Sequence, residues 1–421
     1  MSQRNDGLVI VGAGLAGAKA AESARMHGWD RPIRLCGNEH FLPYERPSLS
    51  KGVLLGTEQP MSTLVHQDEF DVTNEVDLLL GAAVKRLDVA DRVVTLDGGR
   101  RLRFAKLVLA TGSTPRRPAL PGIDLGEVYT LRTIADALAL KDRLVAGRRL
   151  AVVGASWIGT EVAACARQHG CDVVMIGAQA TPLERVLGRE VGLQMARLHA
   201  DHGVQLLMGA GAAAIVGSHA VEGVILDDGR TVDADTVVLG AGVTPNVSLA
   251  VDAGLDVDGG VLVDASLATS HPDVHAVGDI ANAVHPMLGR RVRVEHWANA
   301  LHQGLVGGAN AAGATLTYDR IPYFFSDQYD MAMEYSGWPV PWDRVVFRGD
   351  PASGKYVAFY LAEGRVVGGA NVNVGGVNEH VQTLIRSTRR VDVSRLEDLD
   401  VDPSEWSLGQ LSKNASRSAL T

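Results

Sequence analysis

The sequence predicts an α/β protein that contains two similar strand–turn–helix folds and a smaller α+β domain. Near the start, VIVGAGLAGAKAAE (Val9 to Glu22) is typical of an apolar strand, a glycine-rich turn and a helix. About 140 residues later, LAVVGASWIGTE (Leu150 to Glu161) repeats this pattern. From about Tyr318 onward, short β-rich runs alternate with turns. An internal repeat followed by a change of pattern indicates three domains.

Each glycine of the first turn has a separate task. Gly12 permits a tight turn, Gly14 lets the backbone approach a phosphate, and Gly17 lets the helix pack against the strand. The N-terminus of that helix offers unpaired N–H groups to an anion. A second strand, RLCGNE, ends at Glu39, which completes a Rossmann-like dinucleotide-binding pattern. The alternative is a structural glycine turn in some other βαβ unit.

The second turn carries Ser156 in place of the middle glycine. Serine is small, so a phosphate could still approach the backbone. The strand DVVMIGA then ends near Ala178, and VVLGAG (Val237 to Gly242) mirrors LVLATG (Leu107 to Gly112) in the first half. Two such folds in one chain predict two dinucleotides, or a cofactor and a cosubstrate.

Composition excludes several classes of protein. The formal net charge of −9 argues against non-specific nucleic-acid binding. We find no uncharged apolar run of about 18 residues, so no membrane-spanning helix is expected, and the first strand begins too early for a leader peptide. Cys36, Cys165 and Cys171 form neither a CxxC nor a zinc pattern. We therefore expect no metal site, buried thiols and a cytoplasmic location.

Three further segments support local predictions. Residues 84–109 indicate a small antiparallel excursion that returns to a central parallel strand. After Pro43, Ser48 or Ser50 is placed to cap a helix, with Lys51 just inside it. Asp279 follows the strand VHAVG, where it could accept a hydrogen bond from a sugar hydroxyl or simply cap a helix. Beyond Tyr318 we expect about five antiparallel strands and then the helix VNEHVQTLIRS.

The motifs GxGxxG, GxSxxGxE, ATG and GD, in this order, resemble those of the FAD-dependent pyridine nucleotide-disulfide oxidoreductase superfamily. Four further segments resemble its ferredoxin and rubredoxin reductase branch: PYERPSLSK (43–51), LRT (131–133), EHWANA (295–300) and YFFSDQYD (323–330). The resemblance covers roughly residues 7–405. It implies two Rossmann-like dinucleotide-binding domains of the glutathione-reductase type plus a C-terminal α+β domain.

The resemblance also implies the cofactors and the domain limits. FAD would occupy a discontinuous domain, residues 1–115 and 244–318. NADH or NADPH would occupy residues 116–243 as the cosubstrate. Residues 319–408 would form the C-terminal domain, and residues 409–421 a disordered tail.

Carried over position by position, the resemblance implies two sets of cofactor-binding residues. The FAD set is Gly12, Gly14, Leu15, Ala16, Gly17, Asn38, Glu39, Arg46, Lys51, Val84, Ala110, Thr111, Gly112, Arg132, Gly278, Asp279, Glu295, His296 and Trp297. The nicotinamide set is Gly154, Ser156, Trp157, Ile158, Gly159, Glu161, Gly177 and Gly242. Relatives usually have an acid where this chain has Asn38, so either Glu39 or the Asn38 amide must hold the FAD ribose.

Lys51 stands where the disulfide reductases of this superfamily carry a redox cysteine. Without a thiol at that helix start, a dithiol–disulfide relay is not available. The resemblance implies instead that Lys51 pairs with Glu161 as the catalytic pair. A cation near the flavin would stabilise its reduced, anionic form. The alternative is an ordinary surface lysine.

The resemblance implies a reductase that takes a hydride from NAD(P)H onto FAD. Single electrons then pass to an iron–sulfur ferredoxin or rubredoxin that feeds an oxygenase. Gly177 lies where NAD-binding folds usually place an acid, and no arginine directly follows it. We therefore favour NADH, with weak discrimination. Alternatives on the same scaffold are an NADH oxidase, a quinone or monodehydroascorbate reductase, and a redox-sensing flavoprotein like apoptosis-inducing factor.

A ferredoxin partner would need a local basic patch on this acidic chain. Two groups of arginines are candidates for transient electrostatic docking, and solvated arginines on a polar face are the alternative. The groups are Arg290, Arg291 and Arg293, and Arg386, Arg389 and Arg390. The expected assembly is a monomer or a homodimer.

Overall fold

The structure, a computed structural model, describes residues 6–66 and 70–407 of the chain. The chain forms two compact units. Unit 1 contains Met1–Ala119, Glu127–Leu144 and Val238–Arg320, and unit 2 contains Leu120–Gly126, Val145–Val237 and Ile321–Thr421. The predicted tail, residues 409–421, lies outside the described residues. The three-domain division stays a prediction.

The helices and strands are numbered along the chain. Up to residue 144 they are β1 (Gly7–Val11), α1 (Leu15–Met26), β2 (Ile33–Cys36), α2 (Gly52–Leu55), α3 (Phe70–Thr73), β3 (Val76–Leu79), β4 (Val84–Asp88), β5 (Val93–Leu96), β6 (Arg101–Leu109), β7 (Ser113–Pro115), β8 (Val128–Tyr129) and α4 (Ile134–Lys141). Next come β9 (Arg149–Val153), α5 (Trp157–Gln168), β10 (Asp172–Gly177), α6 (Glu184–Asp201), β11 (Gln205–Met208), β12 (Ala212–Val216), β13 (Gly223–Leu226), β14 (Thr231–Asp233) and β15 (Thr236–Leu239). They are followed by β16 (Val243–Pro245), α7 (Ser248–Asp252), β17 (Val261–Val263), β18 (Val274–Ala276), β19 (Ala281–His285), β20 (Arg290–Val292) and α8 (Trp297–Ala311). The last are β21 (Tyr323–Gln328), β22 (Met331–Gly337), β23 (Arg344–Asp350), β24 (Lys355–Ala362), β25 (Arg365–Val372), α9 (Asn378–Ser387) and α10 (Val393–Glu397).

The main sheet of unit 1 has the strand order β3-β2-β1-β6-β5-β4, and β18 pairs with the second half of β6. Strands β1, β2, β3 and β18 run parallel to their neighbours, whereas β4 and β5 form the predicted antiparallel excursion. Residues Leu8–Ile10 and Leu107–Val108 are fully buried. Central parallel strands are covered on both faces, which is why these segments are continuous apolar runs.

Helix α8 packs on α1 through small residues. A Cβ atom at Gly304 would lie 2.5 Å from the carbonyl oxygen of Ala16, and one at Gly308 would lie 2.1 Å from that of Ala20. Only glycine at these positions permits such a close approach of the two helices. The contact thereby fixes where α8 begins, at the N-cap residue His296.

The nucleotide fold of unit 2 contains the parallel strands β11-β10-β9, with β15 beside β9. Helix α5 connects β9 to β10, as the repeat of the first pattern predicted. Strands β12, β13 and β14 form a separate antiparallel sheet.

The C-terminal part of unit 2 is a five-stranded antiparallel sheet with the order β21-β22-β25-β24-β23. Helix α9 buries Val381, Leu384 and Ile385. Both the sheet and the helix confirm predictions from the sequence. The sheet also shares a hydrophobic core with α6, where Leu187 and Val191 join a cluster that contains residues of the sheet.

One local prediction is wrong. Neither Ser48 nor Ser50 caps a helix, because a 3-10 helix runs from Arg46 to Ser50. Helix α2 has only four residues, and Lys51 precedes it as its N-cap residue instead of lying inside it. The proline at position 47 favours the tight 3-10 turn at this point.

Within the described residues, no helix is long and apolar enough to span a membrane. No group of three or more His, Cys, Asp or Glu side chains in this part of the chain is arranged to hold a metal ion. The three cysteines, all within the described residues, are buried, and none forms a disulfide.

Buried His275 makes the stability of unit 1 dependent on pH. Burial, helped by Lys106, lowers the pKa of this histidine to about 4. In the unfolded chain this histidine has a pKa near 6.5, so the unfolded state takes up the proton first as the pH falls. Stability that is present above pH 6.5 is therefore lost as the pH falls toward 4. We expect the free energy of unfolding to fall by about 2 kcal/mol between pH 7 and pH 5 on account of this residue.

Urea denaturation of wild type and His275→Leu at the two pH values measures this effect. The variant should lose less stability on acidification, whereas His219→Leu, at an exposed site, should behave like wild type. Equal losses in wild type and His275→Leu would contradict the prediction.

Candidate active site

The first glycine turn is shaped by close contacts around two of its glycines and by open space at the third. A Cβ atom at Gly12 would lie 2.1 Å from the carbonyl oxygen of Ala110, and one at Gly17 would lie 2.0 Å from that of Gly12. A Cβ atom at Gly14 would meet nothing within 4 Å. Packing therefore demands Gly12 and Gly17, whereas Gly14 faces a space that a ligand can enter. Helix α1 begins here without a side-chain cap, at the buried Leu15 and Ala16.

Three chain segments meet beside this turn because β1, β6 and β18 are neighbouring parallel strands. They carry Gly12, Ala110–Gly112 and Gly278–Asp279 at their carboxyl ends, where open α/β sheets bind ligands. Gly278 has a φ of +75°, and a Cβ atom there would lie 3.2 Å from that of Ala16. Thr111 donates a hydrogen bond of 2.7 Å to the carbonyl of Asn246.

Asp279 does not cap a helix. It lies in the 3-10 turn Gly278–Ile280, which leads into β19. That observation removes the helix-capping alternative for this carboxylate. Asp279 is buried and forms an ion pair of 2.9 Å with Arg132. A Cβ atom at Gly112 would lie 3.4 Å from Nη2 of the same arginine.

A polar chain continues from Arg132 to the end of β2. Arg46 donates hydrogen bonds to the carbonyl of Arg132 and to the hydroxyl of Tyr44, and it forms an ion pair of 2.8 Å with Glu39. Burial lowers the pKa of Arg46, but Tyr44, Glu39 and Asp279 outweigh it and raise the pKa above its ordinary value. The guanidinium is therefore a fixed cation beside the turn.

Both oxygens of the Glu39 carboxylate are occupied within the protein. Oε1 accepts from Arg46, and Oε2 accepts a hydrogen bond of 2.6 Å from Tyr44. Asn38, the preceding residue, is exposed at the end of β2. Sequence reasoning did not identify Tyr44, although its place inside the PYERPSLSK motif was a usable signal.

Lys51 is half-buried, and its Nζ lies 3.4 Å from the carbonyl oxygen of Pro47. The thiol nearest in sequence, Cys36, lies within β2, and burial raises its pKa to about 12. A group with such a pKa stays a thiol at neutral pH and is a poor nucleophile.

The start of α8 brings three predicted residues together. Glu295 is exposed and forms an ion pair with Arg293. Burial lowers the pKa of His296 to about 4 against the opposing charge of Asp279, so this ring is neutral at pH 7. Trp297 is the first helical residue. Val84, predicted at the adenine, is the half-buried first residue of β4.

The second glycine turn lies in unit 2 and repeats the geometry of the first. Gly154 has a φ of +111°, and a Cβ atom at Gly159 would lie 2.0 Å from its carbonyl oxygen. Ser156 is the N-cap of α5, and its hydroxyl accepts a hydrogen bond of 3.3 Å from the Gly159 amide. At the position of the middle glycine, this turn therefore has a serine that caps the helix. Trp157 and Ile158 begin the helix, and the Trp157 ring lies 4.3 Å from that of Phe324.

Glu161 follows in the second turn of α5 and is only 4% exposed. Its Oε1 accepts a hydrogen bond of 2.7 Å from Ser326 of the C-terminal sheet. Sequence reasoning missed this contact. The sequence did carry a signal for this contact. Ser326 and Gln328 are polar residues at inward positions of β21, on the same face as the apolar Phe324.

Gly177 ends β10 beside Met208, its partner residue on β11. A Cβ atom at Gly177 would lie 2.2 Å from Cε of Met208 and 3.1 Å from Cβ of Ala155. The methionine tip therefore covers the position where an acid was expected, which sequence reasoning did not foresee. Gly242 belongs to unit 1, with a φ of +85° and open space beside its α-carbon.

Known proteins that resemble this chain belong to a family of dinucleotide-dependent oxidoreductases, as the two glycine turns indicate. Residues 6–304 match the family model described as pyridine nucleotide-disulphide oxidoreductase, and residues 323–405 match a reductase C-terminal model. The chain is 42% identical over 395 residues to the anthranilate 1,2-dioxygenase system ferredoxin--NAD(+) reductase component of Burkholderia cepacia, which covers 93% of this chain and 97% of that protein. It is 35% identical over 375 residues to putidaredoxin reductase of Pseudomonas putida, with 88% and 89% covered.

A solved structure, the covalent putidaredoxin reductase–putidaredoxin complex, contains a chain that matches with a TM-score of 0.92 and 33% identity. The match covers 97% of this chain and 99% of that one. Each unit has a glycine turn at the start of a 12-residue helix, which is the arrangement that a dinucleotide pyrophosphate requires. The protein is therefore a member of the pyridine nucleotide-disulphide oxidoreductase family, an FAD-dependent oxidoreductase that uses NAD(P)H.

Proposed function

We propose that this protein is an NAD(P)H-dependent ferredoxin reductase that supplies electrons to an oxygenase. One observation carries this choice within the family. Lys51 stands at the start of α2, and the nearest cysteine in sequence, Cys36, is a buried thiol with a raised pKa. A disulfide relay needs a reactive thiolate, so the electrons must leave by another route. Relatives named as ferredoxin reductases support a ferredoxin or a rubredoxin as the acceptor.

We propose that FAD binds residues 1–115 and 244–318, and that NAD(P)H binds residues 116–243. Bound FAD supplies the redox chemistry, because it accepts a hydride and releases electrons singly. The protein supplies binding and electrostatics. The α1 N-terminus and Gly14 receive the pyrophosphate, and Arg46 adds a fixed positive charge. Asn38 is the proposed ribose contact, since Glu39 is already held by Tyr44 and Arg46.

Asp279 and neutral His296 are the proposed polar groups near the flavin. Asp279 is oriented by Arg132, and Arg293 donates to the Asp279 backbone carbonyl. A neutral imidazole adds no charge to a site where Lys51 is the proposed cation. Lys51 and Glu161 remain the proposed catalytic pair.

Docking of the ferredoxin is proposed to be transient and electrostatic. Of the first arginine group, Arg291 donates to the carbonyls of Val263 and Asn282, and Arg293 pairs with Glu295. Those two cations are engaged within the protein. Arg389 and Arg390 are exposed and are the better candidates. We propose a monomer or homodimer, and a cytoplasmic location where NADH is available.

Turnover with a panel of ferredoxins tests the function. Purified protein should be yellow with bound FAD, and NADH-dependent cytochrome c reduction should rise at least tenfold when the right ferredoxin is added. The matched control omits the ferredoxin and supplies oxygen or a quinone. Faster turnover of oxygen or quinone than of every ferredoxin would favour the oxidase or small-acceptor alternatives. A long-lived flavin–nicotinamide complex with slow turnover would favour the redox sensor.

Lys51→Ala should bind FAD but accept hydride more slowly. Removing a preorganised cation costs stabilisation of the negative charge that develops during transfer, which we expect to slow reduction about tenfold or more. Stopped-flow absorbance of the flavin measures this rate. Lys85→Ala, at an exposed site on β4, is the control. Wild-type reduction rates in Lys51→Ala would refute the catalytic role.

The choice of nicotinamide should depend on residues 177 and 208. A carboxylate at residue 177 would accept hydrogen bonds from a ribose diol and repel a 2′-phosphate. Because Met208 covers Gly177, the substitution Gly177→Glu is best combined with Met208→Ala. We expect the affinity ratio of NAD+ over NADP+ to rise about tenfold. Calorimetric titration of the double variant and of Met208→Ala alone measures it, and an unchanged ratio would show that the ribose is held elsewhere.

A further inference from the structure

A directional chain of hydrogen bonds connects the C-terminal sheet to Glu161. Oε1 of Gln328 lies 2.9 Å from Nε2 of His199, within hydrogen-bond distance. Nε2 of Gln328 lies 3.0 Å from Oγ of Ser326 and 3.0 Å from Oγ1 of Thr160. Ser326 then donates to Glu161 at 2.7 Å. His199, Ser326 and Thr160 are fully buried.

The direction of every bond follows from the donors available. The Thr160 hydroxyl donates a hydrogen bond to the carbonyl of Trp157, so its oxygen accepts one from the Gln328 amide. Both amide protons of Gln328 are then used, on Thr160 and Ser326, and its oxygen must accept from His199. His199 is therefore protonated at Nε2, and its Nδ1 faces the Tyr329 hydroxyl at 3.4 Å. Ser326 is left with one proton, which it donates in a hydrogen bond to Glu161.

His199 does not change its protonation near neutral pH. Burial lowers the pKa of His199 to about 4. The imidazole is therefore neutral, and its own place in the donor–acceptor order stays fixed from pH 6 upward.

The inward face of β21 contacts the first two turns of α5 at each of its three residues. Phe324 packs against the Trp157 ring, Ser326 binds Glu161, and Gln328 binds Thr160. These turns follow directly on the second glycine turn. The sheet thus holds the part of the helix at which the nicotinamide dinucleotide is expected.

We propose that Ser326 and Gln328 are positioning residues that fix the orientation of the Glu161 carboxylate. This inference rests on the proposed function, in which Glu161 is half of the catalytic pair. Without the Ser326 hydroxyl, the carboxylate loses the donor that binds its Oε1, and its preferred rotamer is expected to change. The C-terminal sheet then contributes to hydride transfer through Glu161.

Three single variants of the FAD-loaded enzyme test the proposal. Ser326→Ala removes the donor, and Ser326→Thr keeps a hydroxyl. Ser336→Ala is the matched control, because Ser336 is equally buried in the neighbouring strand β22 and bonds to Asn378 instead. Stopped-flow reduction by NADH gives the limiting rate, and calorimetry gives the affinity for NAD+. Selective ¹⁵N labelling of histidine gives the tautomer of His199 in the apoprotein.

We expect Ser326→Ala to lower the limiting rate about tenfold, or about 1.4 kcal/mol, with the affinity for NAD+ within about twofold of wild type. Ser326→Thr should restore the rate, and Ser336→Ala should leave it unchanged. A wild-type rate in Ser326→Ala, or an equal loss in Ser336→Ala, would overturn the proposal. So would a His199 protonated at Nδ1, because the chain would then run in the wrong direction.

Failure of the proposed function has a different signature. Wild-type protein would then pass electrons to oxygen or a quinone faster than to any ferredoxin, or would bind FAD without being reduced by either nicotinamide. The histidine tautomer is measured without cofactor, so it still tests the hydrogen-bond chain in that case.

Discussion

The approach of Gly12 to the carbonyl of Ala110 is the contact on which unit 1 depends. At this point β1 has ended and the chain turns into α1, while β6 ends directly beside it. Any side chain at residue 12 would collide with that carbonyl, and the strand ends would have to separate. The same contact aligns the carboxyl ends of β1, β6 and β18, and it thereby places Arg132, Asp279 and the start of α8 around one turn. In unit 2, Gly159 approaches the carbonyl of Gly154 as Gly17 approaches that of Gly12.

This dependence explains what was predictable from the sequence. The glycine turns, the flanking strands and the five-stranded sheet follow from local patterns of apolar, small and turn-forming residues. Their periods of two and 3.6 residues are visible within short windows. The helix at Ser48 was wrong for a local reason, since Pro47 lies in a 3-10 turn that the pattern alone does not distinguish from an α-helical start.

Contacts between distant segments were not predictable in the same way. Ser326 meets Glu161 across 165 positions of sequence, and Met208 covers Gly177 from the neighbouring strand. No short motif connects either pair. Glu39 shows the same limit on a smaller scale: the pattern left open whether Glu39 or Asn38 holds the ribose, and it did not show that Tyr44 and Arg46 bind the Glu39 carboxylate. Patterns locate backbone elements, whereas the partners of a side chain emerge only when those elements pack.

The core that α6 shares with the C-terminal sheet has a consequence for evolution and for engineering. Leu187 and Val191 would lose their apolar surroundings if the sheet were removed, so residues 323–372 are not an appendage that can be trimmed. A chimaera that exchanges only this segment between relatives would combine two halves of a core selected separately. The natural unit of exchange is unit 2 as a whole. Unit 2 is built from segments that lie in both family matches, residues 6–304 and 323–405. This helps explain why the two family models belong together in one protein.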